Sequence, residues 1–193
     1  MKIGFDLDRI FINLPPFIPP QIIDWLYKRS LREILSLRKH FQKTLSYSIP
    51  KSSVSKIIRR ISHIAPLRPP IKKNIKILSQ ILLNPNIKLY LISGRYKFLE
   101  KPTFKLLHKY NLITPFANIY LNILDEQPHL FKEKVLKKLN LDLFIDDDLD
   151  LLKHLQKQKL KTKLIWYNPD HNNNNSNGIF VVSSLSEIIK FIK

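Results

Sequence analysis

The sequence contains no cysteine and only three glycines in 193 residues. Without Cys there are no disulfides, no thiolate metal sites and no Cys nucleophile. No apolar run approaches the ~20 residues that cross a bilayer. The first residues also lack the basic stretch, apolar run and small-residue cleavage site of a secretory signal, so the expected compartment is the cytoplasm. Acidic residues are the other shortage: 15 Asp plus Glu stand against 33 Lys plus Arg, a net charge of +18. Such an excess attracts nucleic acid, anionic membrane or small anionic substrates. Plentiful Lys, Ile and Asn with scarce Gly also follow from a biased coding composition, so charge alone selects none of these partners.

What is present reads as globular. Hydrophobic residues make up 44% of the chain, and its length suffices for one core plus an insertion but not for two full-sized domains. An apolar strand is expected at residues 2–5, ending in Asp6-Leu7-Asp8. Pro15, Pro16, Pro19 and Pro20 then exclude regular structure and make a stiff connection. Helical spacing of apolar residues marks 21–47, as one helix or two, and 52–64, with Ser52 or Ser53 as N-cap and an end before Pro66, Pro69 and Pro70. Two proline-rich hinges thus bracket a helical insertion over 13–70.

Beyond it, helix and strand alternate. Helices are expected at 71–83, 96–110, 128–139 and 150–159, with a closing helix from Ser184. Strands are expected at 87–92, 118–121, 141–145, 164–167 and 179–182. The run Asn172 to Asn175 belongs to a low-complexity loop. This order implies an α/β fold, a three-layer, Rossmann-like parallel sheet with helices on both faces and a helical cap insertion after the first strand. The core comprises residues 1–12 and 71–193.

In such sheets ligands bind beyond the carboxyl ends of the strands. Three of the expected strand ends carry polar residues: Asp6 with Asp8, Ser93, and the run Asp146, Asp147, Asp148. Carboxylates gathered at one edge repel unless a hard cation sits among them, and all-oxygen ligation suits Mg²⁺. A carboxylate there can attack phosphorus as a nucleophile, and a hydroxyl and a lysine would complete a phosphoryl-transfer site. The six histidines show no paired ligand spacing, so none is assigned to metal. Arg9 and Arg95 adjoin strand ends, placed either to meet a substrate anion or to form outward salt bridges.

Four ordered segments resemble the motifs of the haloacid dehalogenase-like hydrolases, over nearly the whole chain outside the insertion. Phe5-Asp6-Leu7-Asp8-Arg9-Ile10 is similar to the first motif, which implies Asp6 as nucleophile and Asp8 as general acid and then base. Leu91-Ile92-Ser93-Gly94-Arg95 resembles the second, implying phosphate binding by the Ser93 hydroxyl and a neighbouring backbone amide at Gly94. Phe131-Lys132-Glu133-Lys134 resembles the third, with Lys132 as the site lysine and Lys134 as the alternative. Leu143-Phe144-Ile145-Asp146-Asp147 resembles the fourth, with Asp147 on the metal and Asp146 alongside, their order left open.

The resemblance further implies that Asp6 gives the metal a carboxylate oxygen and Asp8 its backbone carbonyl. The expected activity is Mg²⁺-dependent phosphomonoester hydrolysis of a small phosphorylated metabolite through an aspartyl-phosphate, and Asp8 speaks against dehalogenation. The alternative is a non-catalytic scaffold that binds nucleic acid or anionic membrane through basic helices at 27–43 and 51–60.

Overall fold

The computed structural model describes residues 1–16, 45–170 and 178–192. The expected helix at 21–47 and most of the Asn-rich loop fall largely outside these residues; 45–50, which are described, carry no regular structure.

Six parallel strands form one sheet in the order β3-β2-β1-β4-β5-β6. They are β1 (Lys2–Phe5), β2 (Lys88–Tyr96), β3 (Asn118–Asn122), β4 (Leu143–Asp146), β5 (Lys163–Tyr167) and β6 (Phe180–Val182). Among the described residues the α-helices are α1 (Ser53–Ser62), α2 (Lys72–Ile81), α3 (Glu100–Lys109), α4 (Pro128–Leu139) and α5 (Leu149–Lys157). Short runs of apolar β-formers make the strands, and helices with one apolar face cover them, as right-handed crossovers between parallel strands require. On one face Ile3 and Phe5 pack with Leu78 of α2 and Leu106 of α3. On the other, Phe144 packs with Leu136 of α4 and Leu152 of α5. The sheet is therefore the middle of three layers.

The strand β1 lies at the centre, paired with both β2 and β4. Gly4 stands where that centre is tightest: a Cβ there would come within 2.5 Å of Leu141 Cδ1 and 3.0 Å of Phe144 Cδ2. A side chain at this position would force the Leu141 and Phe144 side chains to shift.

Local signals set several helix ends. Ser52 caps α1, its hydroxyl accepting from the Ser55 N–H at 3.1 Å. Pro128 opens α4, where a missing N–H costs nothing, and Asn140 closes it in the left-handed region. Two expectations need correction. The second strand does not stop at Ile92 but runs through Ser93, Gly94 and Arg95 to Tyr96, paired there with β3 alone across a register shift. The closing element is a 3₁₀ helix, Leu185–Phe191, capped reciprocally by Ser184 and Glu187.

After β1 the chain bends through Arg9, whose φ is +59°, and leaves the core at Asn13. It returns beside its point of departure. The Asn13 N–H donates to the Pro69 carbonyl at 2.8 Å and the Ile71 N–H to the Phe11 carbonyl at 2.8 Å. Both ends of the inserted segment are thus held at the carboxyl edge of the sheet.

Candidate active site

The central strands deliver their carboxyl ends to one cavity of about 180 Å³. Asp6, Asp8, Ser93, Gly94, Lys132, Asp146 and Asp147, all expected from the sequence, line it. Asp6 follows β1, Asp146 ends the neighbouring β4, and Ser93 lies on the part of β2 that overhangs β1.

Lys132 arrives from a helix, and close packing puts it there. A Cβ on Gly94 would sit 2.9 Å from Pro128 Cβ, so the absence of a side chain lets the first turn of α4 rest on β2. One turn further, the Lys132 ammonium donates to Asp6 Oδ1 and to Asp146 Oδ2, both at 2.7 Å. Lys134 points out of the site, to Glu126 at 2.6 Å. This is the divergence that two residues on one helix must show.

Backbone amides fix the two carboxylates from the other side. The Asp8 N–H donates to Asp6 Oδ2 at 2.9 Å, and the Asp148 N–H to Asp146 Oδ1 at 3.0 Å. Asp148 itself serves as N-cap of α5, accepting from Asp150 and Leu151 N–H groups. Asp147 is held differently: among the described residues its carboxylate meets Arg9, at 3.3 Å. Its backbone carbonyl accepts from the Trp166 indole at 3.0 Å.

The electrostatics follow from burial. Desolvation pushes the Asp6 carboxyl above its ordinary range; the Lys132 charge opposes this and the Asp146 charge adds to it. Asp147 is pushed well up by burial and then by Asp146 and Asp6, with Arg9 pulling the other way. For Lys132, burial alone favours the neutral amine, but the Asp146 and Asp6 carboxylates outweigh it and hold the ammonium far above its usual range.

Oxygens of Asp6, Asp146 and Asp147 lie within 4.8 Å of one another. Three carboxylates this close, with Asp147 repelled by its neighbours, form an acidic hollow that a compact divalent cation would neutralise. The all-oxygen donor set fits Mg²⁺ better than softer metals. Each oxygen of Asp146, like each of Asp6, already accepts one hydrogen bond, whereas the Asp147 carboxylate meets Arg9 among the described residues and has more lone pairs left to ligate.

Several wall residues carry no motif in the sequence. Tyr47 donates its hydroxyl to Asp148 Oδ2 at 2.7 Å. Burial, followed by the Asp148 charge, pushes that phenol up. His63 is buried at the wall, its Nδ1 2.7 Å from the Arg59 carbonyl, and desolvation pulls its imidazole down.

Arg68 and Arg95 hold Asp8. Arg95 Nε donates to Asp8 Oδ2 at 2.9 Å and its terminal nitrogen to Oδ1 at 2.7 Å, while Arg68 donates to the same Oδ1. Arg95 is thus buried against the site rather than in an outward bridge. The pair with Arg68 spans sixty residues, and no local pattern announces it. Only the position of Arg68 beside the second proline hinge could have drawn attention to it.

No family model matches the chain, and no curated protein does. Solved structures match over its full length at low identity. A HAD phosphatase from Thermococcus onnurineus is 14% identical, with a TM-score of 0.59, covering 100% of this chain and 98% of its own. A HAD-superfamily hydrolase of subfamily IA, variant 1, from Geobacter sulfurreducens is 12% identical, with a TM-score of 0.58 and 98% of both chains covered. A HAD-superfamily hydrolase from Ehrlichia chaffeensis is 16% identical, with a TM-score of 0.54, covering 98% of this chain and 94% of its own. At these identities the shared property is the fold.

Proposed function

We propose that this chain, which has the fold of the haloacid dehalogenase superfamily hydrolases, is a Mg²⁺-dependent phosphohydrolase acting on a small phosphorylated metabolite. One observation carries the reading: Lys132 bridges the buried Asp6 and Asp146 in a cavity that Asp8, Ser93 and Asp147 also line.

Asp6 attacks phosphorus; its carboxylate is aimed by Lys132 on one oxygen and the Asp8 amide on the other. An Asp6–phosphorus bond forms as the bond to the leaving oxygen breaks, and Asp8 passes that oxygen a proton. Asp8 then takes a proton from the water that attacks the aspartyl-phosphate, releasing phosphate and restoring Asp6. The Ser93 hydroxyl and the Gly94 amide hold phosphoryl oxygens, and Lys132 offsets the charge that nucleophile and phosphate bring together. Asp6, the Asp8 carbonyl and Asp147 would hold Mg²⁺, with Asp146 alongside; the ion would supply charge neutralisation of the phosphoryl oxygens.

The segment over 13–70 is the proposed cap. In support, Tyr47, Ser48, His63 and Arg68 of its described part line the cavity. A cover at this edge would exclude water and strengthen the charge interactions beneath it.

The test is phosphate release from p-nitrophenyl phosphate and a panel of phosphorylated metabolites. Turnover is expected with Mg²⁺ and is expected to vanish with a chelator, returning when Mg²⁺ is restored. Metal-independent turnover, or none on any substrate, would remove the proposal. A salt-sensitive interaction with nucleic acid or anionic vesicles in a chain with no turnover would favour the scaffold reading. That reading draws on α1, where Val54, Ile57, Ile58 and Ile61 are exposed beside Lys56 and Arg60. A pure binder, however, has no use for a buried lysine clamped between two carboxylates.

Asp8 and Asp6 are expected to fail differently. Asp8→Asn should still be phosphorylated by p-nitrophenyl phosphate, whose leaving group needs no proton. Breakdown of the intermediate should slow by about 10²- to 10⁴-fold, the usual cost of losing a general base. Rapid quenching in acid should then trap labelled protein at near-stoichiometric levels. Multiple-turnover rates equal to those of the native chain would remove Asp8 from proton transfer.

A further inference from the structure

Two buried arginines converge on Asp8 from different parts of the chain. Arg95 comes from the overhang of β2 and is braced by the Thr103 hydroxyl at 3.1 Å; Arg68 comes from the segment that returns from the insertion. Their side chains are 3% and 4% exposed, and both line the cavity. Both guanidinium groups thus meet on the Asp8 carboxylate.

Arg68 is also under-used. Its Nε is buried and has no hydrogen-bond partner. Burial, followed by the Arg95 charge, pulls its guanidinium below the ordinary range, with Asp147 and Asp6 pulling the other way. A buried guanidinium with a free donor is costly unless an acceptor comes to it. The planar fork of arginine matches carboxylate or phosphate oxygens in pairs.

The same contacts bear on proton transfer. Both Asp8 oxygens accept from guanidinium groups, so in this arrangement neither is free to hand a proton to a leaving group.

We infer that Arg68 and Arg95 form a subsite for a second anionic group, so that the substrate is a phosphomonoester whose alcohol portion carries its own carboxylate or phosphate. This rests on the phosphohydrolase reading of the site. The second anion draws donors from both guanidinium groups, Asp8 gives up both partners, and the freed carboxyl turns to the leaving oxygen. Only ion-pair partners exchange in this step; the covalent changes remain those at Asp6 and phosphorus. Because the exchange enables the proton transfer, the second anion raises kcat as well as affinity. A cavity of about 180 Å³ is smaller than the roughly 300–1,000 Å³ of pockets for drug-sized ligands, so the alcohol portion is short.

Two matched pairs of probes test this with the native chain and Mg²⁺: phosphoglycolate against ethyl phosphate, and propane-1,3-diol bisphosphate against propyl phosphate. In at least one pair kcat/KM should favour the doubly anionic member by about 10- to 100-fold, the worth of charge-assisted hydrogen bonds. The pair that responds distinguishes carboxylate from phosphate. Arg68→Gln should bring that ratio towards unity, with Arg68→Lys in between. Ratios within about twofold in both pairs for the native chain overturn the inference, whether or not the variants fold.

If no probe is turned over, p-nitrophenyl phosphate included, it is the phosphohydrolase reading that fails. Calorimetric binding of the same pairs to the native chain then decides the subsite separately. Preferential binding of a doubly anionic member sustains it, and equal or absent binding overturns it.

Discussion

Asp6→Asn should reduce Mg²⁺-dependent phosphate release by on the order of 10⁴-fold or more, the scale on which loss of a nucleophile registers. The amide retains the shape of the carboxylate, but its single oxygen can accept from only one of the two donors, Lys132 and the Asp8 N–H, that now meet the two Asp6 oxygens at 2.7 and 2.9 Å. What it loses is the ability to form an acyl phosphate. The fold should survive, because Asp146 remains as a counter-charge to the Lys132 ammonium. The measurement is steady-state phosphate release together with acid-quench labelling and a thermal melt on the same preparation. A variant with native turnover would show that Asp6 is not the nucleophile. One that is inactive and also unfolded would shift the explanation from chemistry to stability.

Lys132→Met is expected to act mainly on the fold. The ammonium is almost completely buried and is shared between Asp6 and Asp146. Taking one partner from a buried ion pair costs about 3–5 kcal/mol, because the remaining charge has lost its compensation without regaining water. Here two carboxylates are abandoned at once.

The pH dependence has a definite sign. Burial already raises the folded-state pKa of Asp6 and of Asp146 above their unfolded values, and removing Lys132 raises both further. Groups raised in this way favour the folded state while protonated, and that contribution is lost as pH climbs from the ordinary carboxylate range through the folded-state values. The deficit of Lys132→Met relative to the native chain should therefore be small near pH 4 and large at pH 7. Denaturant melts at the two values, without divalent cation, measure it. An equal deficit at both would mean that the ammonium does not compensate the carboxylates.

The parts of this molecule legible in the sequence are those fixed by short-range patterns. Residues 2–5 read as a strand because a buried apolar run ends abruptly in two aspartates, and Pro128 and Ser52 announce helix starts through their own backbone chemistry. The same logic failed at Ser93-Gly94-Arg95. A glycine flanked by polar residues reads as a loop, yet β2 continues through it because β3 offers backbone partners as far as Asn122. The glycine serves packing instead, by leaving room for Pro128.

Lys132 and Lys134 are equivalent in composition and spacing, and only the seating of α4 on β2 turns one inward. The Arg68 contact lies furthest from any sequence signal. It depends on the chain returning to its point of departure at Pro69 and Ile71, and closure of that loop is a property of the whole insertion.

The central place of β1 bears on how the protein is made. Its pairing partners are Lys88 to Leu91 on one side and Leu143 to Ile145 on the other. At ~5–20 residues per second of synthesis, the first strand waits several seconds for either neighbour, with Ile3 and Phe5 lacking the layer that will bury them. Such long-range parallel pairing is the slow kind. The carboxylates at the end of β4 arrive later than Asp8, Ser93 and Lys132, the other polar groups assigned to the site. A nascent chain that stops short of Asp146 therefore holds the proposed nucleophile with neither the acidic partner of Lys132 nor a complete hollow for a cation. The proposed site is complete only late on the ribosome, after most of the polypeptide has emerged.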